Sequence, residues 1–163
     1  MKFSESFKAL NEKLALASGV IILIIGALAV FEAFVRTVFN SPTKYTADIN
    51  NYCLIWAIFL VAGYAFQVRG HVRVDLLTKA LSTSKQRVLA IISNFVCLFF
   101  VSLFAHSSFN IMIATYQLNA YTYAVTPIPK WILIMAIFIG SVMMFITLVR
   151  IIIDLFKKND YYL

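Results

Sequence analysis

Apolar residues fill four stretches of the chain almost without interruption, over about residues 14–35, 52–68, 88–116 and 128–153. A helix needs about 20 apolar residues to cross the roughly 30 Å hydrocarbon core of a bilayer. Each stretch therefore predicts a transmembrane helix; 52–68 is short, and 88–116 is long enough to tilt. The start of the first stretch is shaped like a signal peptide, because Lys2, Lys8 and Lys13 precede an apolar run reaching the small-x-small triplet Ala27-Leu28-Ala29. The run continues through Val30 and Phe31, which makes it a span instead.

Outside the spans, apolar residues fall into stripes. Phe3, Phe7, Leu10 and Leu14 are spaced i, i+4, i+7, i+11, with Lys and Glu on the other faces. That pattern predicts an interfacial amphipathic helix before the first span. Val72, Leu76, Leu77, Ala80 and Leu81 predict a second one between spans two and three. Opposite that stripe, His71, Asp75 and Lys79 follow i, i+4, i+8, so unlike charges pair along one ridge. With no linker, repeat or low-complexity stretch, residues 1–163 read as one all-α integral membrane domain of four transmembrane helices.

Composition fixes the solvent as lipid. The 163 residues are 62% hydrophobic and 13% charged, against about 45–50% and about 25% in soluble domains. A soluble domain this small could not hide so much apolar surface in one core. The net charge of +7 does not point to nucleic acid, because the basic residues flank apolar runs instead of forming a water-facing patch. They do fix orientation. The N-terminus, the connection between spans two and three, and the tail together hold 11 of the 14 basic residues; Arg36, Lys44 and Lys130 lie on the other side. The positive-inside rule then puts both termini in the cytoplasm, and a bacterial inner membrane is the expected location. Trp56 and Trp131 stand near the starts of spans two and four as interfacial aromatics, and Pro127 and Pro129 open the fourth helix where a missing N–H is harmless.

Few residues could carry chemistry. Glu32 is the only acid inside a predicted span, and an intramembrane acid raises the alternative of a small self-sufficient proton-coupled exporter. It stands four residues before Arg36, the favourable order for a helical ion pair, so structural pairing or a subunit contact is the simpler role. His71 and His106 cannot sandwich a haem, since their predicted depths differ by about 27 Å at about 1.5 Å per residue. His106, Ser107, Ser108 and Asn110 instead suggest that one face of the third span meets protein. Cys53 and Cys97 have no metal-ligand spacing around them. No GxSxG, GxxxxGK[ST] or HExxH motif occurs. Neither an enzyme nor a cofactor is expected.

The run Gly63-Tyr64-Ala65-Phe66-Gln67-Val68-Arg69-Gly70-His71-Val72-Arg73-Val74-Asp75-Leu76-Leu77 resembles the signature after the second helix of the DctQ-type small membrane subunit of tripartite ATP-independent periplasmic (TRAP) transporters. Val35-Arg36-Thr37-Val38-Phe39-Asn40 resembles the end of that family's first helix, and Thr126-Pro127-Ile128-Pro129-Lys130-Trp131 its Pro-x-Trp entry to the last. The chain departs from the family where paired acids behind a Trp often precede the second helix: here Asp48 stands alone in Lys44–Asn51. The resemblance implies a sodium-coupled importer of organic anions, of the sialic acid or C4-dicarboxylate class. It also implies two protein partners, a large membrane subunit holding the transport path and a periplasmic substrate-binding protein. On the same ground the small subunit braces the fixed scaffold, with Arg69, Gly70, His71, Arg73 and Asp75 as its most family-like residues.

Overall fold

The computed structural model describes residues 2–40, 43, 45–68 and 83–157. Among these, four helices form: α1 (Lys2–Phe39), α2 (Thr46–Gln67), α3 (Thr83–Gln117) and α4 (Lys130–Lys157). All four are long and apolar enough to cross a membrane, and each overlaps a predicted span, the second helix ending one residue before and α4 starting two residues after the expected bounds. The packed pairs are α1 with α2, α2 with α4, and α4 with α3. The helices thus stand in the order α1–α2–α4–α3, and the central pair, α2 and α4, runs parallel. One end of the bundle holds the α1–α2 and α3–α4 connections, the loop end; the start of α1 and the end of α4 lie at the other, the terminal end.

The stripe Phe3–Phe7–Leu10–Leu14 is not a separate surface helix. It is the first part of α1, whose 38 residues make a rod about 57 Å long, far more than the bilayer core requires. Two causes keep the rod continuous. No Gly or Pro occurs before Gly19, and buried Phe7 and Asn11 are held by the neighbouring helices. The second predicted interfacial helix, together with Arg69, Gly70, His71, Arg73 and Asp75, lies outside the described residues.

Burial ranks the helices. In the most apolar 18 residues of α4, 33% are buried, against 6% in those of α1 and none in those of α3. The core is small and sits on α4: Ala136, Ser141 and Leu148 are fully enclosed, as is Ala57 of α2. Glycines bring α2 and α4 close. A Cβ on Gly140 would lie 2.5 Å from the Phe59 carbonyl oxygen and 2.7 Å from its Cβ, and one on Gly63 would lie 3.0 Å from the Met143 Cβ. Lipid tails are as apolar as leucine, so helices in a bilayer gain little from hydrophobicity and associate through such close approach.

Two left-handed asparagines end the helices at the loop end, Asn40 (φ 50°) after α1 and Asn119 (φ 46°) after α3. Asparagine tolerates this conformation better than most residues. At Asn119 the cap is a Schellman motif, with the Ala120 N–H bonded to the Thr115 carbonyl and the Asn119 N–H to that of Tyr116.

Candidate functional site

Several polar side chains among the described residues join one helix to another or to a loop. At the terminal end, Asn11 is fully buried. Its Nδ2 donates to Gln67 Oε1 on α2 (2.9 Å) and to Thr147 Oγ1 on α4 (3.3 Å). The Thr147 hydroxyl spends its own hydrogen on the Met143 carbonyl, so it can only accept from Asn11, which fixes the amide's orientation. Asn11 Oδ1 has no hydrogen-bond partner among the described residues and lies 2.8 Å from where a Gly63 Cβ would be. It therefore faces that glycine's Cα–H, a weak donor. Two turns further on, the Ser18 hydroxyl donates to the Ala57 carbonyl of α2 at 2.6 Å. The Arg150 guanidinium rests over the Phe7 ring, 5.2 Å from its centre. One helix is thereby pinned to two others.

The loop end holds the second joint. Residues 118–129 carry no charge and fold back on themselves, with Thr122 N–H to the Ile128 carbonyl and Lys130 N–H to that of Ala120. Tyr121 and Pro129 face each other in that short ladder, at a position where the proline's missing N–H costs no bond. A directed chain of bonds fastens the loop to α2. Ile128 N–H donates to Thr122 Oγ1 (3.0 Å), which bonds Tyr52 Oη (2.9 Å), and the Tyr52 hydroxyl donates to the Thr126 carbonyl (3.0 Å). Asp48 completes the clamp by accepting the Thr126 N–H at 3.0 Å. As an acid in the first turn of α2 it also suits the helix dipole. Replacing both clamps, as in Asp48→Ala with Tyr52→Phe, is expected to free the loop. Chymotrypsin should then cut at Tyr123, already 98% exposed, roughly tenfold faster than in the parent protein. Unchanged cleavage would show the ladder alone sets the loop.

Most of the described residues singled out by sequence lie outside these two joints. Glu32 does not pair with Arg36. Its Oε1 accepts the Thr43 N–H at 3.1 Å, its Oε2 is buried without a partner among the described residues, and Arg36 is exposed in the last turn of α1. The chain turns back over the end of α1, which brings the Thr43 amide within reach of the carboxylate. Trp56 is half-buried ten residues into α2, about 15 Å along it, because the polar run from Thr46 to Asn51 is itself helical. Pro127 and Pro129 lie just before α4 instead of inside it, and the Pro129 carbonyl accepts the first bond of the helix from Ile132. Trp131 meets the Tyr116 ring edge-on at 5.8 Å, an aromatic pair suited to the headgroup level. His106 and Asn110 are both exposed on α3 and bonded to each other at 3.0 Å. Sequence reading missed Asn11, Tyr52 and the clamp made by Asp48. The signal for Asn11 was its spacing from Phe7 and Ser18, i−4 and i+7, which sets all three on one face.

Among the described residues no group of three or more His, Cys, Asp or Glu is placed to hold a metal. The pattern of the chain does match a known family: the tripartite ATP-independent periplasmic transporters, DctQ component, over residues 15–158. The chain belongs to this family. No curated protein matches it closely enough to add a relative. A DctQ component is one part of a three-part transporter, so this is a multi-pass membrane protein of a transport system. The matched region begins after Asn11, so the terminal joint reaches beyond it while the clamped loop lies within it.

Proposed function

We propose that this DctQ component is a bracing subunit that pairs with the large membrane subunit of a sodium-coupled TRAP importer and with a periplasmic substrate-binding protein. Organic anions are the substrate class, with sialic acid favoured over C4-dicarboxylates by overall resemblance. The protein lies in a bacterial inner membrane, and the uneven division of basic residues along the sequence supports cytoplasmic termini and a periplasmic clamped loop. One observation supports bracing over transport most directly. Buried polar groups of the helices, Asn11, Ser18, Ser141 and Thr147, are engaged in bonds to neighbouring helices or to their own. A transporter that worked alone would normally present interrupted helices near the midplane, and all four helices here run unbroken.

The unpartnered Oε2 of Glu32 is the observation that favours the proton-coupled exporter. Reconstitution separates the two. Proteoliposomes containing the large subunit, this chain and the binding protein should take up sialic acid along a sodium gradient. This chain alone should move nothing, and Glu32→Gln should leave uptake by the full system intact. Proton-driven export by the chain alone, abolished by Glu32→Gln, would replace the bracing role with the exporter.

A further inference from the structure

The outward face of α3 is built differently from the outward face of α1. Exposed side chains of α1 between Leu16 and Phe31 are apolar or small, with Leu16, Leu23 and Val30 the most open, which is a face for lipid. On α3, Phe99, Leu103, His106, Asn110, Ile113 and Gln117 are all exposed and fall at alternating steps of four and three. Such spacing draws a continuous seam along one side of a helix, the one used when two helices pair at a shallow crossing angle.

Depth makes the polar members of that seam informative. Tyr116 and Trp131 form an aromatic pair of the kind that sits at the headgroup level. Asn110 is six residues and His106 ten residues nearer the terminal end than Tyr116, about 9 Å and about 15 Å along the helix. His106 therefore lies near the middle of the bilayer core. The mutual bond of Asn110 Nδ2 with His106 Nε2 satisfies one group on each. If the amide donates, the imidazole carries its proton on Nδ1, and that N–H and the Asn110 oxygen stay unused. If the amide is turned, an amide N–H and the ring's Nδ1 lone pair stay unused. Either way at least one donor and one acceptor stay unused on this exposed face. Hydrocarbon cannot satisfy them.

We infer that this seam of α3 is where the large membrane subunit packs, through a spanning helix that presents a side chain able both to donate and to accept a hydrogen bond at the depth of His106 and Asn110. The inference rests on the bracing role proposed above and adds the face to it. The occupant is the large subunit because the family's transporter has separate components, and because α1, the opposite flank of the row, offers lipid what lipid can solvate.

A photo-crosslinking residue at Leu103 or Ile113, and at Leu23 on α1 for comparison, tests the assignment in membranes where both subunits are expressed. Crosslinks to the large subunit from the two α3 positions, and none from Leu23, are expected. The double variant His106→Leu with Asn110→Leu should retain the monodisperse chain while carrying roughly three- to tenfold less large subunit through purification. Crosslinks from Leu23 alone, crosslinks from α3 only to a second copy of this chain, or undiminished co-purification of the double variant would overturn the inference. Failure of the unaltered chain to purify with the large subunit would instead overturn the bracing role itself.

Discussion

Gly140→Ala is expected to lower the stability of the chain in detergent by about 2 kcal/mol, while Gly26→Ala leaves it unchanged or slightly higher. The two substitutions add the same methyl group to the same kind of apolar helix. At Gly26 nothing lies within 4 Å of the new carbon, so the helix gains the roughly 0.5–1 kcal/mol by which alanine exceeds glycine in a helix interior. At Gly140 the new carbon would stand 2.5 Å from a carbonyl oxygen, 2.7 Å from a Cβ and 3.0 Å from a carbonyl carbon, all of Phe59. Those atoms belong to the backbone and its first branch and cannot swing aside as the end of a side chain can. Helices α2 and α4 must move apart, and overpacking of this kind typically costs about 1–3 kcal/mol. Thermal unfolding of both variants followed by circular dichroism supplies the comparison. Equal midpoints would mean the central pair is not held by close approach.

The consequence would spread, because α4 is the hub. It contacts α2 on one side and α3 on the other, and the ring contacts Phe109–Phe138 and Tyr116–Trp131 depend on where α4 sits, while Phe59–Phe104 joins α2 to α3 directly. Separating α2 from α4 would shift α3 and the seam proposed for the large subunit. Loss of complex in Gly140→Ala would thus follow from a displaced face, whereas loss in the His106 and Asn110 variant would follow from an altered one.

The same pair of glycines shows why the sequence reveals some of this fold and hides the rest. Four spans were legible because a bilayer imposes a minimum apolar length on every crossing segment, a rule that acts within each segment alone. The close approach of α2 and α4 was not. Gly26 and Gly140 both stand in apolar runs, and only the register between helices decides that one meets Phe59 and the other open space. Asp48 was conspicuous only as a solitary acid where a pair was expected. Its partner, the Thr126 amide, lies 78 residues away, and no local period encodes that distance. The outward stripe of His106 and Asn110 was half legible: four polar residues in an apolar span announce a protein-facing side, but only the packing of α3 on α4 tells which are turned outward.

Asn11 carries the second large effect. Asn11→Ala should destabilise the chain by about 2 kcal/mol, since it removes two hydrogen bonds and leaves a gap where three helices meet. Thr147→Val should cost less, about 1 kcal/mol, because it loses the bond from Asn11 but leaves the Met143 carbonyl held within its own helix. The two share one bond, so the double variant should be less damaging than the sum by about 1 kcal/mol; strictly additive losses would show that the 3.3 Å contact contributes nothing. A second readout concerns what α1 does without its pin. The stripe of Phe3, Phe7, Leu10 and Leu14 has the pattern of a helix that lies in the headgroup plane, yet it continues the span because α2 and α4 grip Asn11 and Phe7. Release should let those first turns tilt onto the membrane, and backbone hydrogen exchange in residues 5–13 should rise while that of residues 20–30 stays low. If exchange near Phe7 does not change in Asn11→Ala, the ring's packing under Arg150 is enough to keep α1 upright, and the amide serves only the joint between α1, α2 and α4.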